Sequence, residues 1–384
     1  MKIAYDVLKA KGYSGNQTYT NELIKALVRE FPENKYHIIT NWRRKNEAIN
    51  AFGTHTSLHY HNIMPNRLVL GKKFQIQVQK FNQKLLVATT RKYDIYHATN
   101  PVHFPQGAKN GVVTLHDLIA LKEEPWGSKG SKEFYRQHIR SILQHAKLIF
   151  CVSEYTAQDA IARFPELSEK VKVTPLAANP VFRALKTGRE FMKPYGIRDI
   201  EKPFLLFVGE IQPRKNLESV LTCFSALPAS LKQSLQLIII GSARLRGNQR
   251  LLETQLNNLQ SQENVYQLQN VSTEDLVRFY NTAHIFLFPS FFEGFGLPVI
   301  EAMSCGCPVI TSNTSSLKEV AADAALTVSP YKNEELRETM IQLIEDTALR
   351  DTCRQKGLKR AREFSWSKTA HKTMEGYQQV LETS

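Results

Sequence analysis

HIFLFPSFFEGFGLPVIEAMSCGCPVITSN, residues 284–313, reads as a buried strand, a glycine turn, a helix and a second buried strand. Residues 284–290 and 307–313 are largely apolar without alternation, the pattern of strands covered on both faces. Between them, Gly294 and Gly296 supply a tight turn. Pro298 suits the first turn of a helix, where an N–H would have no partner anyway. Two glutamates, Glu293 and Glu301, bracket this turn with seven residues between them. A strand that passes into a helix and then into another buried strand is the repeating unit of a parallel, doubly wound sheet.

The same alternation runs through the chain. Further strands are expected at 2–8, 36–40, 93–99, 111–117, 148–153 and 171–177, then at 203–209, 235–241 and 324–330. Helical patterns separate them, for example at 21–30, 131–146 and 334–344. Residues 177–203 break the pattern with polar, proline- and glycine-bearing sequence, and 384 residues suit two domains. The expectation is an α/β protein of two Rossmann-like, doubly wound domains, 1–180 and 200–366, whose parallel sheets face across a cleft. Ligands of such sheets bind beyond the carboxyl ends of the strands.

Composition narrows the function classes. No window approaches the roughly 18 uninterrupted apolar residues of a spanning helix. The start, MKIAYDVLKA, is too short and polar for a signal peptide and reads as a first strand. The five cysteines are scattered and odd in number, so reduced thiols in a cytosolic protein are expected. Asn16-Gln-Thr18 and Asn313-Thr-Ser315 match the glycosylation sequon, but without a secretory signal they carry no weight. His55, His59 and His61 read as a histidine-bearing strand and loop in preference to a metal site.

Net charge is +14, and residues 1–100 carry +10 of it. Residues Asn66–Lys92 hold seven basic side chains and no acidic one, which suggests an anionic partner. Nucleic acid is disfavoured, because no reading motif is present and aromatics are not interleaved with the cations. Within this segment Leu70, Phe74, Val78, Phe81 and Leu85 fall at helical spacing, surrounded by Lys72, Lys73, Lys80 and Lys84. Two readings stay open: a surface helix packed on its sheet, and a peripheral contact with an anionic membrane.

Four strand ends carry candidate chemistry. In KAKGYSGNQTYTNELIKAL (9–27), Gly12, Ser14 and Gly15 precede an amphipathic helix whose N-terminus favours anions, although such turns are also common connectors. In TLHDLIAL (114–121), His116 and Asp117 end a buried strand; they either close a loop or contact a sugar hydroxyl or leaving group. In LLFVGEIQPRKNLESVL (205–221), Arg214 and Lys215 suit a diphosphate, and cations placed there oppose the helix dipole. In the opening stretch, the amides of Phe295, Gly296 and Leu297 would point at an anion. Glu301, expected in the first helical turn, would accept hydrogen bonds from ribose hydroxyls, and Glu293 would reach the sugar or the reacting centre. Dipole complementation alone would account for Glu301 but not for Glu293 and the glycines.

Together these residues resemble the retaining glycosyltransferases of family 4, which have the two-domain GT-B fold. EGFGLPVIE resembles that family's glutamate signature and FVGEIQPRKNL its basic diphosphate loop. TLHDLIAL, CVSEYTAQDAI, PLAANPVF, SSLKEVAADAAL and the late FSW (364–366) resemble further landmarks, so the likeness covers nearly the whole chain. The resemblance implies that Arg214 and Lys215 hold the donor diphosphate, assisted by the amides of Phe295, Gly296 and Leu297, with Gly294 also at the donor. It implies as well that Glu301 binds ribose, Glu293 and His116 contact the donor sugar, and Gly15 lets the first loop approach the phosphates. Catalytic roles are thus expected for His116, Glu293, Arg214 and Lys215. Ala322 stands where this family often has glycine, an exchange expected to be harmless, and the first loop reads Gly-Tyr-Ser-Gly instead of Gly-Gly.

The resemblance further implies a last helix, 367–384, that returns to the N-terminal domain. It implies transfer without a metal ion or other cofactor, which agrees with the absence of any Asp-x-Asp. The implied reaction moves a hexose from a nucleotide-sugar to a hydroxyl of a glycan or lipid-linked glycan, with retention, in synthesis of a cell-surface polysaccharide such as lipopolysaccharide. HDL with PLAANPVF resembles polysaccharide mannosyltransferases, which points to GDP-mannose. UDP-glucose, UDP-N-acetylhexosamine and dTDP-rhamnose are the alternative donors, and a nucleotide-sugar epimerase of similar fold is the alternative class. The acceptor would dock on the N-terminal domain. The expected location is the cytoplasm, with the inner face of the cytoplasmic membrane as the place of work.

Overall fold

The computed structural model describes residues 1–7, 15–41, 45–63, 87–124, 126, 129–242, 256–257 and 264–383. Gly12, Ser14 and the stripe Leu70, Phe74, Val78, Phe81 and Leu85 with its four lysines lie outside the described residues. The chain divides into two compact units, Met1–Leu176 with Ser365–Ser384, and Ala177–Phe364.

The first unit is built on seven strands: β1 (Lys2–Asp6), β2 (Lys35–Asn41), β3 (Leu58–Ile63), β4 (Ile95–Ala98), β5 (Gly111–Leu115), β6 (Leu148–Cys151) and β7 (Val171–Val173). All pair in parallel, in the order β3-β2-β1-β4-β5-β6-β7. Every residue of β4, β5 and β6 is buried, as their continuous apolar sequence requires. Helix α1 (Gly15–Glu30) presents Tyr19, Leu23, Ile24 and Leu27 to the core. Helix α2 (Lys45–Phe52) follows β2. The single helix expected at 131–146 is instead α3 (Lys129–Phe134), a π-helical turn (Tyr135–Ile139) and α4 (Arg140–His145). Helix α5 (Glu154–Arg163) starts at Ser153, whose Oγ accepts the Thr156 N–H at 3.0 Å.

The C-terminal helix, Trp366–Glu382, belongs to this unit and packs on α1. It approaches the sheet closely at Gly376. A Cβ there would lie 2.6 Å from the Phe150 ring of β6, so only glycine allows that contact.

The second unit holds six parallel strands: β8 (Phe204–Val208), β9 (Gln236–Ile240), β10 (Val265–Leu268), β11 (Ile285–Phe288), β12 (Val309–Ser312) and β13 (Leu326–Val328). Their order is β10-β9-β8-β11-β12-β13. The helices are α6 (Leu217–Ser225), α7 (Ala229–Ser234), α8 (Thr273–Thr282), α9 (Leu297–Ser304), α10 (Ser315–Ala321), α11 (Asn333–Glu345) and α12 (Thr347–Ala361). Leu205, Phe207, Leu237, Ile239, Ile285 and Leu287 fill one side of this sheet against α6 and α11. In both sheets the winding reverses once, between β1 and β4 and between β8 and β11. Such a switch point opens a crevice at the carboxyl ends of the two strands.

Ala322 corrects an expectation. It follows α10 with φ 47° and ψ −123°, a conformation that only glycine adopts freely, so the alanine is strained. Among the described residues all five cysteines are buried and unbridged, and no helix is long and apolar enough to cross a membrane.

Candidate functional site

The switch point of the second unit gathers Arg214, Lys215, Glu293 and Glu301. Gly241, at the end of β9, sets the spacing: a Cβ there would lie 1.9 Å from the Gly209 carbonyl oxygen. The loop after β8 then makes a 3-10 turn, Pro213–Lys215, which ends at Asn216 in the left-handed conformation (φ 58°). Asn216 is buried and its side-chain amide donates to the Pro289 carbonyl at 3.1 Å and the Pro330 carbonyl at 2.9 Å. This ties the cationic turn to the chain ends leaving β11 and β13.

Two cations meet one carboxylate oxygen. Arg214 Nη1 lies 2.7 Å and Lys215 Nζ 2.6 Å from Glu293 Oε1. Arg214 also donates to the Phe292 carbonyl at 2.6 Å, and the Lys215 ammonium sits 4.6 Å over the Phe288 ring. Burial lowers the Lys215 ammonium to about 8, with Glu293 opposing and Arg214 reinforcing the shift. Burial alone would raise the Glu293 carboxyl, but Arg214 and Lys215 outweigh it and hold that carboxyl at about 2. The site is therefore a buried, ionised cluster.

A hydroxyl-bearing run that starts on the last residue of β12, whose role sequence reasoning passed over, clamps the Glu293 loop. Ser312 Oγ donates to the Ser290 carbonyl at 2.6 Å and Thr314 Oγ1 to the Phe291 carbonyl at 3.1 Å. Ser315 Oγ accepts the Glu293 N–H at 3.1 Å, and Ser316 Oγ donates to the Glu293 carbonyl at 2.8 Å. The signal was present in Ser312-Asn-Thr-Ser-Ser316, a cluster of side chains that habitually bond to backbone.

Of the two glycines in the turn, Gly296 carries the left-handed backbone (φ 101°), and a Cβ on it would strike Leu317 Cδ2 at 2.5 Å. Gly296 is the N-cap of α9 and no side chain caps that end. Pro298 has no N–H and the Val299 N–H donates to the Gly296 carbonyl at 2.9 Å, so of the first three helical residues Leu297 is the one that can offer an amide to an anion. Because the helix starts at Leu297, Glu301 is its fifth residue and not in the first turn, as had been expected. The Tyr280 hydroxyl, on α8, approaches Glu301 Oε2 at 3.5 Å. Burial raises the Glu301 carboxyl to about 7, against the opposing effects of Tyr280 and Lys215.

In the first unit, His116 follows β5 and is buried. Its Nε2 is 2.9 Å from the Thr99 carbonyl. A carbonyl only accepts, so Nε2 carries the hydrogen and Nδ1 of the neutral ring is the acceptor. Burial depresses this imidazole to about 4, only partly countered by Thr99. The Tyr19 ring packs edge-on at 5.0 Å, and the Tyr19 hydroxyl bonds Thr114 Oγ1 at 2.7 Å. Asp117 accepts the Ile119 N–H at 3.0 Å and so closes its own turn. Gly15 is the exposed first residue of α1. His59 and His61 lie on β3 beside His37, and among the described residues no group of three metal-ligating side chains is placed to hold an ion.

Residues 13–181 match the family model for Glycosyltransferase Family 4, and residues 189–360 match that for Glycosyl transferases group 1. The chain is 30% identical over 286 residues to the O-antigen chain mannosyltransferase B of Escherichia coli, over 74% of each protein. It is 30% identical over 279 residues to the serotype-specific mannosyltransferase WbdA of Escherichia coli. That match covers 71% of the chain but 34% of the relative, so the chain spans about a third of WbdA. The Anabaena protein Alr3699/HepE, solved in complex with UDP and glucose, has the same fold, with a TM-score of 0.76 at 17% identity over 98% of each chain.

Proposed function

Since the chain belongs to the family 4, group 1 glycosyltransferases, we propose that it moves mannose from GDP-mannose to a hydroxyl of a growing cell-surface polysaccharide, with retention of anomeric configuration. The observation that carries the reading is the convergence of Arg214 and Lys215 on Glu293 beside the uncapped N-terminus of α9. Two cations and the turn amides leading into α9, at a switch point, form a seat for a diphosphate. The names of the two Escherichia coli relatives support mannose and an O-antigen type of product. The UDP and glucose held by HepE favour a UDP-hexose as the second donor reading.

The donor diphosphate takes over from Glu293 as counter-ion to Arg214 and Lys215, with the amides of Phe295, Gly296 and Leu297 completing the seat and Gly294 lying beside the donor. Glu293 is then released to the hydroxyls of the donor sugar. Glu301 accepts hydrogen bonds from the ribose. From the first unit, Gly15 serves a phosphate, and His116, with Nδ1 as acceptor, takes a hydrogen bond from a donor-sugar hydroxyl.

In the reaction the bond from the sugar's anomeric carbon to the diphosphate oxygen breaks, and both electrons leave with the phosphate. The acceptor oxygen bonds to the same face of that carbon, and its proton passes to a phosphate oxygen. Arg214, Lys215 and the amides of Phe295, Gly296 and Leu297 stabilise the charge that develops on the leaving group, so no metal ion or other cofactor is assigned a step. The acceptor is a glycan or lipid-linked glycan. The excess of basic residues in the sequence 66–92 supports a peripheral contact with an anionic membrane, which would set the reaction in the cytoplasm at its inner face.

A thermal-shift panel of GDP-mannose, UDP-glucose, UDP-N-acetylhexosamine and dTDP-rhamnose tests the donor, followed by turnover and NMR of the product's anomeric signal. GDP-mannose is expected to stabilise most, with Arg214→Ala and Glu301→Ala abolishing the effect. Donor binding retained in both variants would overturn the site assignment, and an inverted product would overturn retention.

A further inference from the structure

We propose that Phe291 and Tyr331 form a platform on the second unit for a pyranose ring of the acceptor glycan. Tyr331 is 67% exposed, the most open large apolar side chain among the described residues. A single exposed ring is ordinary. This one has a second ring beside it: the Phe291 centroid lies 5.1 Å away, with the planes tilted by 39°.

The pair is fixed from below. The buried Asn216 amide donates to the carbonyls of Pro289 and Pro330, two residues before Phe291 and one before Tyr331. The Phe291 N–H donates to the Arg214 carbonyl at 2.9 Å, and its carbonyl accepts from Thr314. The residues that carry the cationic turn therefore also hold the rings in place before any ligand arrives, which lowers the cost of binding.

A hexopyranose suits such a surface. One face of the sugar presents C–H groups that lie on aromatic faces, while its hydroxyls stay at the rim in water. Phe291 is two residues before Glu293, which the proposed function places at the donor sugar. That the pyranose belongs to an acceptor rests on that reading, and the contact adds to the acceptor docking expected of the N-terminal domain.

The geometry argues against the donor's base as occupant. Right-handed crossovers put α6 and α9 on opposite faces of this sheet. Helix α9 packs with α8, α10 and α12, and α6 packs with α11. Glu301 lies on α9 beside Tyr280 of α8, so a ribose held there leads its base along that face. Tyr331 introduces α11 on the other face.

Saturation-transfer NMR with α-mannotriose, maltotriose and chitotriose tests the platform without any donor. The wild-type protein should saturate the C–H protons of at least one trisaccharide. Tyr331→Phe should keep that signal, and Tyr331→Ala should weaken the affinity about three- to tenfold, the range of an aromatic stacking contact. GDP and UDP affinities, measured by calorimetry, should stay within about twofold in Tyr331→Ala. An unchanged trisaccharide signal in Tyr331→Ala, or none in the wild type, overturns the proposal. A tenfold loss of nucleotide affinity would give the rings to the base, and a change in sedimentation would give them to a second copy; either overturns it too. Failure of the glycosyltransferase donor reading would appear separately, as wild-type protein that binds none of the nucleotide-sugars.

Discussion

Lys215 Nζ and Glu293 Oε1 lie 2.6 Å apart, both buried, although 78 residues separate them in sequence. Such a pair adds little stability compared with an apolar one, because two charges leave water to make it. Removing one partner is different, since the other is left buried and uncompensated. With Arg214 on the same oxygen, two cations share one carboxylate oxygen. Glu210 adds a further negative charge acting on Lys215, so a bound diphosphate would compete with these carboxylates for the two cations.

Glu293→Gln should therefore destabilise the protein by about 3 kcal/mol at pH 7. Saturating GDP should recover part of this, because the diphosphate replaces the missing charge. The folded-state carboxyl near 2 lies below its unfolded value, so the wild-type advantage holds above about pH 4.5 and is lost as pH falls towards 2. Urea midpoints across that range, with and without GDP, read all three effects. An equally stable variant at pH 7 would mean that the ion cluster is solvated and carries no strain.

Nucleoside diphosphate affinity should be greatest between about pH 7 and pH 8. The free protein holds Glu301 near 7 and Lys215 near 8. Ribose hydroxyls favour the ionised Glu301, so binding below pH 7 must first expel a proton, which weakens it up to about tenfold per unit. Above pH 8 the free Lys215 loses charge and the diphosphate must restore it. Glu301→Gln should flatten the acid limb and leave the alkaline one. Calorimetry with GDP-mannose, whose diphosphate has no terminal phosphate to titrate near pH 6, checks both limbs from pH 5.5 to 9, and an acid limb that survives in Glu301→Gln would remove Glu301 from the ribose.

Most strands of both sheets were legible, because buried parallel strands are written as unbroken apolar runs such as Phe204–Val208. β10, Val265–Leu268, was not, since its two middle residues are only half-buried and the run is short. The sequence offered Arg214, Lys215 and Glu293 as separate candidates. Their contact follows from β8 and β11 being neighbours, which depends on the handedness of the crossovers and not on any local pattern. Glu301 was misplaced by one turn: the helix begins at Leu297, just after the glycine turn, so its first turn ends at Ile300. The strain at Ala322 was missed because a residue's φ is not written in its letter.

Ala322→Gly should stabilise the second unit by about 1 kcal/mol. Relief of a disallowed backbone is worth about 1–3 kcal/mol, and the added freedom of glycine in the unfolded chain offsets about 0.5–1 kcal/mol. Ala322 is exposed, so its methyl group contributes no packing that would confuse the result. A higher midpoint in thermal unfolding, with unchanged nucleotide affinity, is the expected outcome. An unchanged or lower midpoint would mean that the alanine sits there without strain.

His116→Ala should lower kcat by about a hundredfold while GDP affinity stays within about twofold, because the imidazole is assigned to the sugar and not to the nucleotide. Its depressed value of about 4 makes it neutral throughout the physiological range. Wild-type kcat/KM should then show no limb near pH 6.5 attributable to a histidine. His116→Gln, whose amide can still donate to the Thr99 carbonyl and accept from the sugar, should recover part of the rate. Tyr19→Phe separates orientation from chemistry: it keeps the ring against His116 but loses the 2.7 Å bond to Thr114. A few-fold fall in kcat with the same flat pH profile is expected from a tilted imidazole. A histidine limb appearing near pH 6.5 in wild-type protein and vanishing in His116→Ala would instead make His116 a proton-transfer group, and the role as a neutral hydrogen-bond acceptor would be lost.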